Sequence, residues 1–115
     1  MRVTTDLWVS VLLRRVQGEG GFAALLRRGF AEAGAVFIVV QTGAGDTILF
    51  GPAPQTSYDD EEDAERRFVE MLRTADEGDI ATQLEREMRF DPDAWIVELE
   101  IGRKDPGSYF PVTSA

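Results

Sequence analysis

The chain reads as an α+β domain, a four-stranded and mostly antiparallel sheet with helices packed on one side, in the order α-β-β-β-α-α-β. Three observations predict it. Ala35-Val36-Phe37-Ile38-Val39-Val40 is one short apolar run of β-branched and aromatic residues, the mark of a buried strand. Trp95, Val97, Leu99 and Ile101 alternate with Ile96, Glu98 and Glu100, the period-two pattern of a half-buried strand. Other segments space their apolar residues three and four apart, as amphipathic helices do.

The first element is expected over residues 6–17. Leu7, Trp8, Val11, Leu12 and Val16 follow helical spacing, Thr5 or Asp6 can cap the start, and Gly18 and Gly20-Gly21 stop it. Val9, Val11 and Val16 keep a strand reading open, but Arg14 and Arg15 suit the carboxyl end of a helix. Residues 22–28 read as a strand pairing antiparallel with the run at 35–40 through a 29–34 connection, with a short helix as the alternative. The 35–40 strand is central and covered on both faces or nearly so. Thr42-Gly43-Ala44-Gly45-Asp46 is a hairpin loop leading to a strand from Thr47 to Phe50, which Gly51-Pro52-Ala53-Pro54 ends.

A long helix is expected next, capped by Asp59 or Asp60, with Asp59 and Glu62 as a capping box and Ala64, Phe68, Met71, Leu72 and Ala75 as its buried face. Asp76-Glu77-Gly78-Asp79 interrupts the chain. A second helix follows on Ile80, Ala81, Leu84 and Met88, and Asp91-Pro92 ends it. The strand from Trp95 closes the domain, taken as residues 1–102. Residues 103–115, rich in Gly, Pro, Ser and Thr, read as a loosely ordered tail.

A charge step near Tyr58 separates two halves. Residues 1–58 carry four acids against five bases, and residues 59–115 carry 17 acids against seven bases, so the second half holds the net charge of −9. At 115 residues and 43% hydrophobic content the chain suits one globular domain. It has no cysteine and no histidine. That excludes disulfides, thiolate catalysis, thiol-based zinc sites and the commonest general base. Acid-only binding of hard cations stays open. Leu7 to Val16 is broken by Ser10, Arg14 and Arg15, unlike a signal peptide, and the 35–40 run is too short to span a membrane. A cytoplasmic location is expected by exclusion, with no membrane association. A sequence pI of about 4.4 argues against nucleic-acid binding.

Few constellations carry chemistry. Gly18-x-Gly20-Gly21 and Gly43-x-Gly45 lack the lysine and serine or threonine of a phosphate loop and read as turns. The acids Asp59, Asp60, Glu61, Glu62 and Asp63 lack the stagger of a calcium loop and read as a solvated helix start. Asp91 and Asp93 flank Pro92 and read as organisers of a turn. Neither metal nor cofactor is expected. Trp8 and Trp95 are expected in the core.

Arg14, Arg15, Arg27 and Arg28 are the candidate anion-binding residues. The two pairs converge if helix 6–17 packs back over strand 22–28, and guanidinium groups bind carboxylate or phosphate through paired donors. The alternative is structural, with these arginines paired to Glu98, Glu100 or the acid cluster. Tyr58, beside Pro52 and Pro54, and Tyr109 with Phe110 in the tail are the candidate partner contacts.

Several short segments also match a known pattern. Trp8-Val9-Ser10 leading to Leu13-Arg14-Arg15, then Arg28-Gly29, Ala33-Gly34-Ala35-Val36, Gly51-Pro52-Ala53-Pro54 and Phe90-Asp91-Pro92-Asp93-x-Trp95 ahead of Val97-Glu98 stand in order. Over nearly the whole chain up to about Gly102, the sequence resembles the DUF1491 family of small uncharacterised bacterial proteins. The resemblance implies a single domain and brings no activity, cofactor or catalytic residue. The functional expectation from the residues is therefore a non-catalytic protein-binding or adaptor domain, homodimeric in one version. The alternative is a small-molecule domain or enzyme that holds an anionic ligand on the four arginines, with an acid such as Glu98 as base.

Overall fold

Sequence position alone does not say which strands meet, and the pairing is where the molecule departs most from expectation. The computed structural model describes residues 3–54 and 66–114. In chain order the elements are α1 (Thr5–Gly18), β1 (Phe22–Arg27), β2 (Val36–Gln41), β3 (Thr47–Pro52), β4 (Phe68–Thr74), α2 (Glu77–Phe90), β5 (Trp95–Glu100) and a 3₁₀ turn (Pro106–Ser108). The strands form one five-stranded sheet in the order β1-β5-β2-β3-β4. β2 and β5 run parallel, and the other three pairings are antiparallel. The sheet is thus mixed and five-stranded, not four-stranded, and the order α-β-β-β-α-α-β does not hold.

The additional strand, β4, lies inside the segment expected to be helix. Phe68, Met71 and Leu72 fit helical spacing, yet Phe68–Thr74 pairs with β3. A register shift in the β3–β4 ladder explains the mimicry. Glu70 opposes Phe50 and Leu72 opposes Leu49, leaving Met71 as an extra residue between them. Phe68 therefore faces one side of the sheet and Leu72 the other, though a regular strand would put both on one side. The capping box and acid cluster at 59–63, with Ala64, lie outside the described residues.

The helices lie on opposite faces of the sheet, not on one. Val9, Leu12 and Val16 of α1 pack with Val36, Ile38, Val40, Val97 and Leu99. Ile80 and Leu84 of α2 pack with Phe37, Val39, Leu49 and Ile96. The reason is in β2 itself: its first five residues are all buried, so both faces need cover. Two helices on one side would leave Phe37 and Val39 in water.

β1 is a strand and not a short helix, but its partner is β5 and not β2. The β2 edge it was expected to take is occupied by β5 in parallel register, from Val36 opposite Trp95 to Gln41 opposite Glu100. The parallel pair is possible because β3, β4 and α2 supply a long crossover. α1 begins one residue earlier than read, with Thr4 as the cap, its hydroxyl accepting from the Leu7 N–H at 3.2 Å. Thr5 is fully buried, its hydroxyl accepting from the Arg66 guanidinium, and burial lowers the Arg66 pKa. α2 is capped by Asp76, whose carboxylate accepts from the Gly78 N–H at 2.9 Å.

Residues 103–114, read as a tail, lie along the α1 face of the sheet. Phe110 is 2% exposed and meets Phe50 and Phe68 edge-on at 5.3 and 5.1 Å between ring centres. The Phe68 N–H donates to the Pro111 carbonyl at 2.9 Å, and the Thr113 N–H donates to the Phe68 carbonyl at 2.8 Å. The segment thereby covers the start of the β4 edge, an edge that would otherwise expose unpaired backbone groups.

Candidate functional site

The amino-terminal ends of the parallel strands β2 and β5 lie beside the carboxyl end of β1, so three loops meet there. Residues 28–34 and 91–94 are bound together by backbone. The Phe30 N–H donates to the Asp93 carbonyl at 3.1 Å, and the Trp95 indole N–H donates to the Phe30 carbonyl at 2.9 Å. Gly29 makes the approach possible, because a Cβ there would lie 2.0 Å from the Asp93 oxygen and 2.6 Å from the Trp95 ring. Asp91 organises the turn as read from the sequence. Its carboxylate accepts from the N–H groups of Asp93 at 3.1 Å and Ala35 at 3.3 Å.

Arginine side chains close the same knot. Arg27 donates to the carbonyls of Pro92 at 3.0 Å and Ala94 at 3.4 Å. Arg28 pairs with Asp6 at 3.3 Å, and its guanidinium lies 5.1 Å from the centre of the Trp95 ring. Three large apolar side chains in these loops or on the elements that enter them face water. Leu26 and Phe30 are each 54% exposed, and Phe90, the last residue of α2, is 85% exposed. Scattered apolar exposure is ordinary, but a phenylalanine left 85% exposed at the end of a helix is not.

The four arginines do not converge. Arg28 pairs with Asp6 in the first turn of α1, while Arg15 lies nine residues further along that helix, about 13 Å at 1.5 Å per residue. Arg15 donates to the Ser108 carbonyl at 2.6 Å, pairs with Glu19 at 3.5 Å and lies over the Tyr109 ring at 5.0 Å. Arg14 is exposed and has no hydrogen-bond or ion-pair partner among the described residues. None of the four reaches Glu98 or Glu100, and Glu98 accepts instead from the Gln41 amide at 3.1 Å. Among the described residues no three acidic side chains gather where they would hold a metal ion.

Tyr109 and Phe110 are buried in this chain's own core. The Tyr109 hydroxyl donates to Glu19 at 2.9 Å, and that bond, with Lys104 and Arg15 nearby, holds the Glu19 carboxyl below its ordinary range. Tyr58 lies outside the described residues. No local sequence pattern marks Leu26 or Phe30 as contacts. A signal for Phe90 was present, since it lies about 120° round the helix from Leu84 and so off the apolar stripe.

Three of the segments that carry the family resemblance, Arg28-Gly29, Ala33 to Val36 and Phe90 to Trp95, contribute to this knot, while Trp8 to Arg15 lies on α1 and Gly51-Pro52 in β3. The model of the family described as protein of unknown function (DUF1491) matches residues 3–106. The chain is similar to the solution structure of protein Atu0922 from A. tumefaciens, with 42% identity and a TM-score of 0.84, covering 100% of this chain and 98% of that one. It is similar to the crystal structure of a DUF1491 family protein from Caulobacter crescentus CB15, with 33% identity and a TM-score of 0.79 over 98% of this chain and 100% of that one. An NMR structure of a DUF1491 family protein from the same organism gives 36% identity and a TM-score of 0.75, with 98% of each chain covered. A search of curated proteins finds no match.

Proposed function

The chain belongs to the DUF1491 family, and we propose that it is a non-catalytic protein-binding domain whose contact surface is the end of the sheet carrying Leu26, Phe30 and Phe90. The observation that supports this most is the 85% exposure of Phe90. Leaving such a ring in water forgoes about 2 kcal/mol of burial, which a partner's surface would recover. Buried aromatic anchors dominate the energetics of protein interfaces, and anchors on a rigid frame lose little freedom on docking. Here the frame is the knot of hydrogen bonds between residues 28–35 and 91–95.

The partner is a protein, and a second copy of this chain is one form it takes. The cytoplasm is the location that goes with this reading. A net charge of −9 turns polyanions such as nucleic acids away. Among the described residues no helix is long and apolar enough to cross a membrane.

Photo-crosslinking in the native host tests the proposal. A photoreactive phenylalanine analogue at position 90 is expected to give one discrete adduct, and the same analogue at Glu85, exposed on the far side of α2, is expected to give none. An adduct of twice the chain's 12.8 kDa identifies a homodimer, and any other mass a different protein. No adduct at position 90, or the same adducts at both positions, contradicts the reading.

A further inference from the structure

The opposite end of the sheet holds a second feature with different chemistry. Beyond the carboxyl ends of the parallel strands β2 and β5, the loop 42–46 and the segment 101–106 enclose a cleft of about 330 Å³. Open sheets with parallel strands place ligand crevices at this end, where the chains leaving neighbouring strands part. Here β2 turns back into β3, while the chain after β5 crosses the α1 face toward β4. The two loops are joined by the Gly43 N–H, which donates to the Gly102 carbonyl at 3.2 Å. A Cβ at Gly43 would lie 3.2 Å from Arg103 Cγ, so the bare glycine leaves room for that side chain to lie along the loop.

The lining is unusual for so acidic a chain. Ala44 and the edges of the nearly buried Val40 and Ile48, 1% and 3% exposed, give it an apolar floor, and Arg73, Arg103 and Lys104 line it as well. Arg73 is fixed by two bonds to Glu70, at 2.9 and 3.2 Å, and by Asp46 at 3.8 Å. Its charge is therefore already answered. Arg103 has no hydrogen-bond or ion-pair partner among the described residues, and Lys104 has only a long contact, 3.6 Å to Glu19. Asp105, the acid on the lining, is occupied in capping the 3₁₀ turn, accepting from the Gly107 N–H at 3.2 Å. Two cations with spare donor capacity thus stand over an apolar floor, in a volume that suits a small metabolite.

We propose that this cleft binds a small phosphate monoester, its dianionic head held by Arg103 and Lys104 and its apolar body laid on Val40, Ala44 and Ile48. The site is separate from the four arginines first read as an anion site, and separate from the apolar end proposed to dock a protein.

The test is an amide NMR titration of the full chain at low salt with phenyl phosphate, with inorganic phosphate run alongside. Phenyl phosphate is expected to shift the amides of Gly43, Ala44, Gly102, Arg103 and Lys104 saturably, and to bind more tightly than inorganic phosphate. Arg103→Gln is expected to weaken phenyl phosphate by about tenfold, the loss of one charge-assisted bond. Lys104→Gln is expected to weaken it in the same direction, and Arg14→Gln to leave it unchanged. All three positions are exposed, and an unchanged spectrum elsewhere shows that each variant is folded. Shifts that never saturate, equal affinity for inorganic phosphate, or equal weakening by Arg14→Gln would overturn the proposal. Protein docking at the other end is unaffected by either result.

Discussion

At the scale of single residues, the molecule is held by a few contacts that composition does not reveal. Gly29 is the clearest. Gly29→Ala would force the Asp93 carbonyl and the Trp95 ring away from a methyl group at 2.0 and 2.6 Å, and urea unfolding is expected to show a loss of about 2–3 kcal/mol. A loss below about 0.5 kcal/mol would mean that the two loops are not pressed together there. Glu19 gives a pH test. Its carboxyl is held below its ordinary value first by the Tyr109 hydroxyl, then by Lys104 and Arg15. A folded-state pKa below the unfolded one stabilises the fold fully above the unfolded value, and that stabilisation is lost as pH falls through the folded value. The window therefore opens near the ordinary glutamate value of about 4.3 and extends below it. Tyr109→Phe should raise the Glu19 titration, followed by carboxyl-carbon NMR, toward that value. An unmoved titration would assign the effect to the two cations alone. The arginines show why residue type was legible and placement was not. Two pairs flank a glycine-rich bend in the chain, but α1 and β1 run antiparallel across it, which carries Arg15 and Arg28 to opposite ends of one helix.

At the scale of elements, six of the helices and strands were legible in the sequence, but their number, pairing and layering were not. α1, β1, β2, β3, α2 and β5 all stand within a few residues of their expected places, although the residues of α1 also allowed a strand and those of β1 a short helix. β4 does not, because the extra residue at Met71 breaks the alternation that would have marked a strand and leaves Phe68 and Leu72 four apart, as on a helix face. Pairing partners were equally hidden. Nothing local in Phe22–Arg27 distinguishes an edge beside β5 from one beside β2, and the choice is made by the parallel β2–β5 ladder. The last segment illustrates how composition misleads. It is rich in Gly, Pro, Ser and Thr, yet Phe110 sits between Phe50 and Phe68. Phe110→Ala is expected to cost about 3–4 kcal/mol in chemical unfolding, as for a core phenylalanine. A cost under about 1 kcal/mol would return the segment to a loose tail.

At the scale of the whole molecule, one sheet presents different chemistry at its two ends. Both faces are taken by helices and by the segment after β5, which leaves the ends of the parallel pair as the places where loops shape a surface. The amino-terminal end is apolar on a braced frame, with Leu26, Phe30 and Phe90 in water. The carboxyl-terminal end is a cleft with cations over an apolar floor. Three of the family's short sequence segments meet at the apolar end, and docking of a protein there is the central claim. The most direct measurement is the yield of adduct from a photoreactive residue at position 30, in chains with and without Phe90→Ser. Phe90 contributes little to the core, so the variant folds normally and is expected to lose the adduct that the parent chain forms. Unchanged adduct yield in the folded variant, or no adduct in either chain, would contradict the account.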